Sequence, residues 1–107
     1  MTRTAKKLAQ NTLTSSMTAI YTTPSSTTSQ LTEIWLSNTS ASAARIVTIS
    51  VHGNATANQI IPGLSIPILD FKVIDNAKII LAAGEILYAK IDTGSDVNIT
   101  IYGIEEA

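Results

Sequence analysis

Between Met17 and Gly103 the chain is written in short runs that alternate apolar and polar residues, with turn signals roughly every 8 to 12 residues. In QLTEIWLSN, Ile34 and Leu36 share one face while Glu33, Trp35 and Ser37 share the other. In ARIVTISVHG, Val47, Ile49 and Val51 oppose Thr48, Ser50 and His52; in DVNITIYGIEE, Val97, Ile99 and Ile101 oppose Asn98, Thr100 and Tyr102. A two-residue period cannot make an amphipathic helix, and no segment sustains a 3.6 period. Valine, isoleucine and threonine dominate the runs, and their branched side chains suit a pleated surface. About seven or eight short strands follow. The expectation is an all-β fold: an antiparallel β-sandwich of jelly-roll or immunoglobulin-like type. NAKIILAAGEILYAKI has helix-forming content, but Gly84 in mid-run favours two strands paired across Ala82, Ala83 and Gly84. IPILDFKVID reads as a further strand, and NQIIPGL as a short one broken at Pro62 and Gly63.

With 107 residues this is one domain with one core. We divide it into an extended N-terminal arm, residues 1–13, and a single β-sandwich domain, residues 14–107. The arm carries Arg3, Lys6 and Lys7, with Leu8 and Leu13 to dock it on a neighbour. It has no apolar core of the secretory type, and no run in the chain approaches a membrane span. Several strands are apolar on both faces, as in Ile34, Trp35 and Leu36. A free sandwich with a solvated outer face alternates more cleanly, so the excess points to contact with another subunit. Only 14% of residues are charged, the net charge is -1, and serine and threonine make up roughly a quarter of the chain. That composition suits close-packed subunit surfaces and argues against a nucleic-acid partner. Arg3, Lys6, Lys7, Leu8 and Trp35 are the candidate partner contacts, and Glu105 and Glu106 could complement the basic arm head to tail.

The strings that suggest chemistry are weak. Asp92-Thr93-Gly94-Ser95 matches the signature of aspartic proteases, whose chemistry needs two such aspartates sharing a proton across an interface. Here the string lies 15 residues from the C-terminus, with no room after it for a flap, and reads instead as a hairpin turn around Gly94. Asp92 and Asp96 could hold calcium from one loop, but paired loop carboxylates usually hold none. His52, the single histidine, has no carboxylate or metal-ligand cluster beside it in sequence, and there is no nucleophile elbow. Cysteine is absent, which excludes thiolate catalysis and disulfides. The sequons at Asn38, Asn54 and Asn98 read as chance in a chain rich in Ser and Thr. Tyr21, Trp35, Tyr88 and Tyr102 could form a sugar-binding platform, though aromatics spread over four strands are more often core and interface anchors. We expect no enzymatic activity, no cofactor and no metal.

AIYTTPSSTTSQLTEIWLSNTSASAARIVTISV, followed by LAAGEILYAKIDTGSDVNITIYGIEE, resembles a class of small virion proteins of tailed bacteriophages. The shared pattern is Tyr-Thr-x-Pro, a Ser/Thr loop, a strand ending in an Asn-Thr-Ser turn, Ala-Gly-Glu followed by Ala-Lys, and a last strand ending Gly-Ile-Glu. It covers Ala19 to Glu106. The resemblance implies an oligomeric, non-enzymatic module of the head or tail, located in the virion after assembly in the host cytoplasm. Its partners would be its own copies or the major capsid or tail protein, with no nucleic acid and no membrane. A carbohydrate-binding or host-receptor-binding module of a tail or fibre is the alternative. The family pattern names no functional residues.

Overall fold

A computed structural model describes residues 2–75 and 79–107. Among them are nine strands: β1 (Arg3–Leu13), β2 (Thr18–Thr22), β3 (Thr28–Asn38), β4 (Arg45–Val51), β5 (Gln59–Ile66), β6 (Phe71–Ile74), β7 (Ile79–Leu81), β8 (Ile86–Ile91) and β9 (Val97–Glu106). A single 3₁₀ turn, Thr56–Asn58, precedes β5. The strands form two antiparallel sheets. One has five strands in the order β1-β9-β3-β6, with β7 also paired to β3; the other has four in the order β2-β8-β4-β5. This is the expected β-sandwich.

The period-2 patterns explain the core. Leu31, Ile34, Leu36, Val97, Ile99 and Ile101 of the larger sheet are buried, as are Val47, Ile49, Leu87, Ala89 and Ile91 of the smaller. Each fully buried aliphatic side chain of this kind contributes about 1.5–3 kcal/mol of transfer free energy. No helix among the described residues is long and apolar enough to cross a membrane.

Three expectations are corrected. The arm does not reach away from the body: residues 3–13 are β1, hydrogen-bonded to β9 from Arg3↔Glu106 to Leu13↔Val97. Thr2 and Ala107 extend the ladder by two further bonds of 2.8 and 2.9 Å. Most of β1 is exposed because it is an edge strand, held by its backbone rather than by an apolar stripe, and so carries no alternation to read. Second, β8 and β9 are not a hairpin, nor are β7 and β8: in both cases the chain crosses from one sheet to the other. Third, the strand expected from Ile66 or Pro67 onward begins only at Phe71, because residues 67–70 form a turn in which Leu69 takes φ 52°.

The 79–91 segment is strand, turn, strand, not helix; the first residues of the helical alternative, 76–78, lie outside the described residues. Gly84 there takes φ 83°. Pro62 and Gly63 do not break β5. They form a bulge opposite β4, and Thr48 Oγ1 donates to Pro62 O at 2.9 Å. Proline is tolerated because β5 is an edge strand.

Gly103 is required for a different reason. It lies between β1 and β3, both of which bulge beside it, at Lys7/Ala9 and Leu31/Glu33. An added Cβ would strike Gln30 O and come within 2.8 Å of Leu8 Cδ1. The two bulges leave a depression on the outer face of the larger sheet.

Candidate functional site

The outer face of the five-stranded sheet carries the large exposed side chains of this half of the molecule. Trp35 on β3 points outward and is 41% exposed; Phe71 on β6 is 55% exposed. Their rings stack with centroids 5.9 Å apart and planes 14° from parallel. The register explains the contact: Phe71 opposes Ser37, and Val73 opposes Trp35, so the two rings meet diagonally. Trp35 Nε1 donates to Glu33 Oε1 at 3.2 Å, which fixes the indole. Tyr102 lies beside them on β9 opposite Glu33, and Ile80 is exposed farther along the face. Trp35, Phe71, Tyr102, Leu36, Ser37 and Thr100 line a shallow groove of about 200 Å³. A broader groove of about 510 Å³ sits over the two bulges, where Ala5, Thr32, Tyr102, Gly103 and Ile104 lie between Lys6 and Lys7 on one side and Glu33 on the other.

Of the four aromatics read as a platform, only Trp35 and Tyr102 share this face. Tyr88 lies on β8 of the other sheet, and Tyr21 is buried. Nothing local in the sequence signals the contact with Phe71, because its strand meets β3 only through a long connection.

Of the basic arm residues, two are paired within the chain. Arg3 Nε lies 3.2 Å from Glu106 Oε2 and Lys6 Nζ lies 2.8 Å from Glu105 Oε1, while Lys7 Nζ donates to Gln10 Oε1 at 3.1 Å. The complementarity between the N-terminal cations and Glu105 and Glu106 is therefore satisfied inside one molecule. Leu8 packs against the core. Glu105 also accepts from Tyr21 Oη at 2.6 Å, and Tyr21 Oη lies 2.6 Å from Ser29 Oγ. Burial first, then the Glu105 carboxylate, pushes the Tyr21 phenol up to about 12. Lys6 first, then Tyr21, holds the Glu105 carboxyl below the usual range. This cluster ties β1, β2, β3 and β9 together at one end of the sandwich.

The Asp92–Asp96 loop is a corner between the sheets. Arg45 grips Asp96 through two hydrogen bonds, Nε to Oδ1 at 2.7 Å and Nη2 to Oδ2 at 2.9 Å. This pairing is the main reason the Asp96 carboxyl is held below its ordinary value. Asp92 Oδ1 accepts from the Ile46 amide at 3.0 Å, and the Asp92 amide donates to Ile46 O at 3.0 Å. Both carboxylates thus have partners in their own chain, and Gly94 supplies the positive φ of 84°. His52 does have a carboxylate beside it: Nδ1 lies 2.7 Å from Glu85 Oε2, a contact made only by folding. Glu85 Oε1 accepts from the Ala82 amide at 2.6 Å; that bond first, and His52 second, lowers the Glu85 carboxyl. Among the described residues no three of His, Asp and Glu gather in a metal-binding group. The Asn38 sequon is closed to modification in the folded chain, since its buried amide donates to Ala43 O, Ile66 O and Pro67 O at 3.0–3.3 Å.

Among the described residues, three exposed residues other than glycine take positive φ, Ser26 at 55°, His52 at 68° and Leu69 at 52°, and Leu69 is the large apolar one. In the turn from Pro67 to Asp70, Asp70 N donates to Pro67 O at 3.2 Å and Leu69 N donates to Ser40 O at 3.1 Å. These bonds hold Leu69 in the left-handed region, which costs a residue with a Cβ about 1–2 kcal/mol. Its side chain is 67% exposed, and that of Ile68 46%.

No family model matches this chain, and no curated protein does. Among solved structures it is similar to a chain of the Bacillus endospore appendages, described as a family of disulfide-linked pili, with a TM-score of 0.57 and 10% identity over 99% of this chain and 88% of that one. At that identity the likeness is one of fold.

Proposed function

We propose that this chain is a non-enzymatic structural subunit of a bacteriophage particle, decorating or cementing the capsid or forming part of the head or tail. Its contact surface is the outer face of the five-stranded sheet. The observation that carries this reading is the Trp35–Phe71 stack, with Tyr102 and Ile80, standing open on that face while the core is already filled by the opposite faces of the strands. Large aromatics held rigid on a flat scaffold are what anchor subunit interfaces. The molecule measures 47 × 26 × 19 Å, so one broad face exceeds the roughly 800 Å² per partner that a stable interface buries. The fold-level likeness to a pilus chain supports an assembling role, and the sequence resemblance supports a phage particle.

The test is light scattering on the purified chain beside the double variant Trp35→Ser, Phe71→Ser. The wild type is expected to be oligomeric and the variant monomeric with an unchanged melting temperature. The pair accounts for about 2 kcal/mol or more of interface energy, a weakening of at least ~30-fold. A wild type that stays monomeric at all concentrations and does not bind particles defeats the proposal.

A second reading, saccharide binding, is favoured by the neutral hydroxyls of Ser37 and Thr100 beside the stacked rings. A glycan array separates the two: binding lost in Trp35→Ser supports a receptor-reading module, and a blank array removes it.

A further inference from the structure

We propose that β1 is a strap that opens from the sandwich as one unit, with the Glu105 carboxylate as its catch: ionised, Glu105 holds the strap down, and protonated, it lets go. Little of β1 is packed. None of its residues from Arg3 to Thr12 is buried, and among them only Leu8 and Ala9 are half-buried. Leu13 is the β1 residue in the core, and beside it Thr14 O accepts from the Ile91 amide at 2.9 Å. The strand is thus pinned at its C-terminal end and pivots over residues 14–17, where the chain passes to β2 in the other sheet. Lifting residues 3–12 exchanges ladder bonds to β9 for bonds to water, which is nearly neutral, and frees their backbone, which favours opening. Side-chain contacts therefore decide the balance, as in other segments that open before the whole fold does.

Most of those contacts lie on the solvated outer face. Arg3 meets Glu106 there, Gln10 Nε2 donates to Thr100 Oγ1 at 3.4 Å, and Thr12 Oγ1 donates to Asn98 Oδ1 at 2.9 Å. Exposed pairs of this kind add little. Glu105 is different. On β9 it continues the alternation of Val97, Ile99, Ile101 and Gly103, which turn to the core, and its side chain is 14% exposed against 38% for Glu106. Its Oε1 takes Lys6 Nζ of β1 at 2.8 Å, and its Oε2 takes Tyr21 Oη of β2, in the opposite sheet, at 2.6 Å. One carboxylate thus clamps β1 to both sheets through charge-assisted bonds.

The catch is titratable. Facing Glu105 are Lys6 from β1 and Tyr21 from β2, while β3 brings the neutral Ser29 against Tyr21 and the neighbouring Glu106 is engaged by Arg3. The Tyr21 phenol, pushed up to about 12, keeps its proton and remains a donor at neutral and acid pH. Lys6 first, then Tyr21, holds the Glu105 carboxyl low, so the hold is fully present above the unfolded value of about 4.3 and is lost as pH falls through the lowered folded value. Protonation leaves the Lys6 ammonium without its anion. An open strap bares two strand edges, its own and that of β9, and each can take a strand from another chain.

Amide hydrogen exchange, read by mass spectrometry as protection relative to the unstructured chain, tests the strap. In Glu105→Gln at neutral pH the protected amides of residues 3–12 are expected to lose at least about tenfold in protection, with β4 and β8 unchanged. Lys6→Met keeps the apolar stem of the side chain and should do the same. Arg3→Gln, on the outer face, should stay within about twofold of wild type. Wild type at about pH 3 should match Glu105→Gln, which itself should change little between the two pH values. Unchanged β1 protection in both Glu105→Gln and Lys6→Met overturns the catch. A loss shared equally by β4 and β8 overturns opening as a unit. An Arg3→Gln loss as large as that of Glu105→Gln places the hold in surface charge, and an acid response that persists in Glu105→Gln assigns it to another group; either result overturns the role of Glu105.

Discussion

Two loops at one end of the sandwich both need a residue at positive φ, and they meet the need in opposite ways. The 92–96 loop places Gly94 there, at 84°, and pairs its charged side chains within the chain: Asp96 with Arg45, Asp92 with the Ile46 amide. The 67–70 turn places Leu69 there, at 52°, and turns it outward. The first loop spends both of its carboxylates on bonds to β4. The second accepts strain and presents carbon to solvent. The loop that resembles an active site in sequence is thus the one whose carboxylates are tied into the fold, and the loop without a motif is the one that exposes large apolar side chains.

The contrast can be broken by removing what makes each loop what it is. Gly94→Val is expected to have the largest effect. A β-branched residue is strained at that φ, and its Cβ would come within 3.0 Å of both Arg45 Nη2 and Asp96 Oδ1. Chemical denaturation should show a loss of about 1–3 kcal/mol.

Asp96→Ala should come second, lowering the melting temperature at neutral pH by less than Gly94→Val. Because Arg45 holds the Asp96 carboxyl below its ordinary value, its stabilisation is fully present above the unfolded value of about 3.9 and is lost as pH falls through the lowered folded value. The gap between wild type and variant should therefore close on acidification, read as melting temperature against pH.

Leu69→Gly sharpens the contrast from the other side. Relief of strain is offset by the greater entropy of glycine in the unfolded chain, so stability should stay within about 1 kcal/mol of wild type. Asp92→Asn should be smallest, below about 0.5 kcal/mol, since an amide oxygen can still accept from Ile46, and no peptidase activity should be gained or lost.

The sandwich was legible because Ile34 and Leu36, Val47 and Ile49, and Ile99 and Ile101 keep strict alternation, and burial of one face enforces it. Alternation says which face of a strand is inside, but not which sheet the strand joins. β8 and β9 are joined by a string that suggests a hairpin, yet they lie in different sheets. β1 escaped notice because an edge strand whose side chains are mostly solvated leaves no period behind. Trp35 could be picked out as an exposed aromatic on a strand, whereas its stacking on Phe71 depends on strand pairing across a long connection. The turn at Leu69 was invisible for a plainer reason: sequence patterns assign positive φ to glycine and asparagine, not to leucine.

The placement of β9 also bears on when this fold can exist. It is the last of the nine described strands in sequence, yet it lies between β1 and β3 and supplies ladder partners to both. During synthesis, β1 and β3 wait without their shared neighbour until residues 97–106 have left the ribosome. The larger sheet is therefore completed only once β9 has been made, and until then the edges of β1 and β3 that β9 will cover are open to other nascent chains.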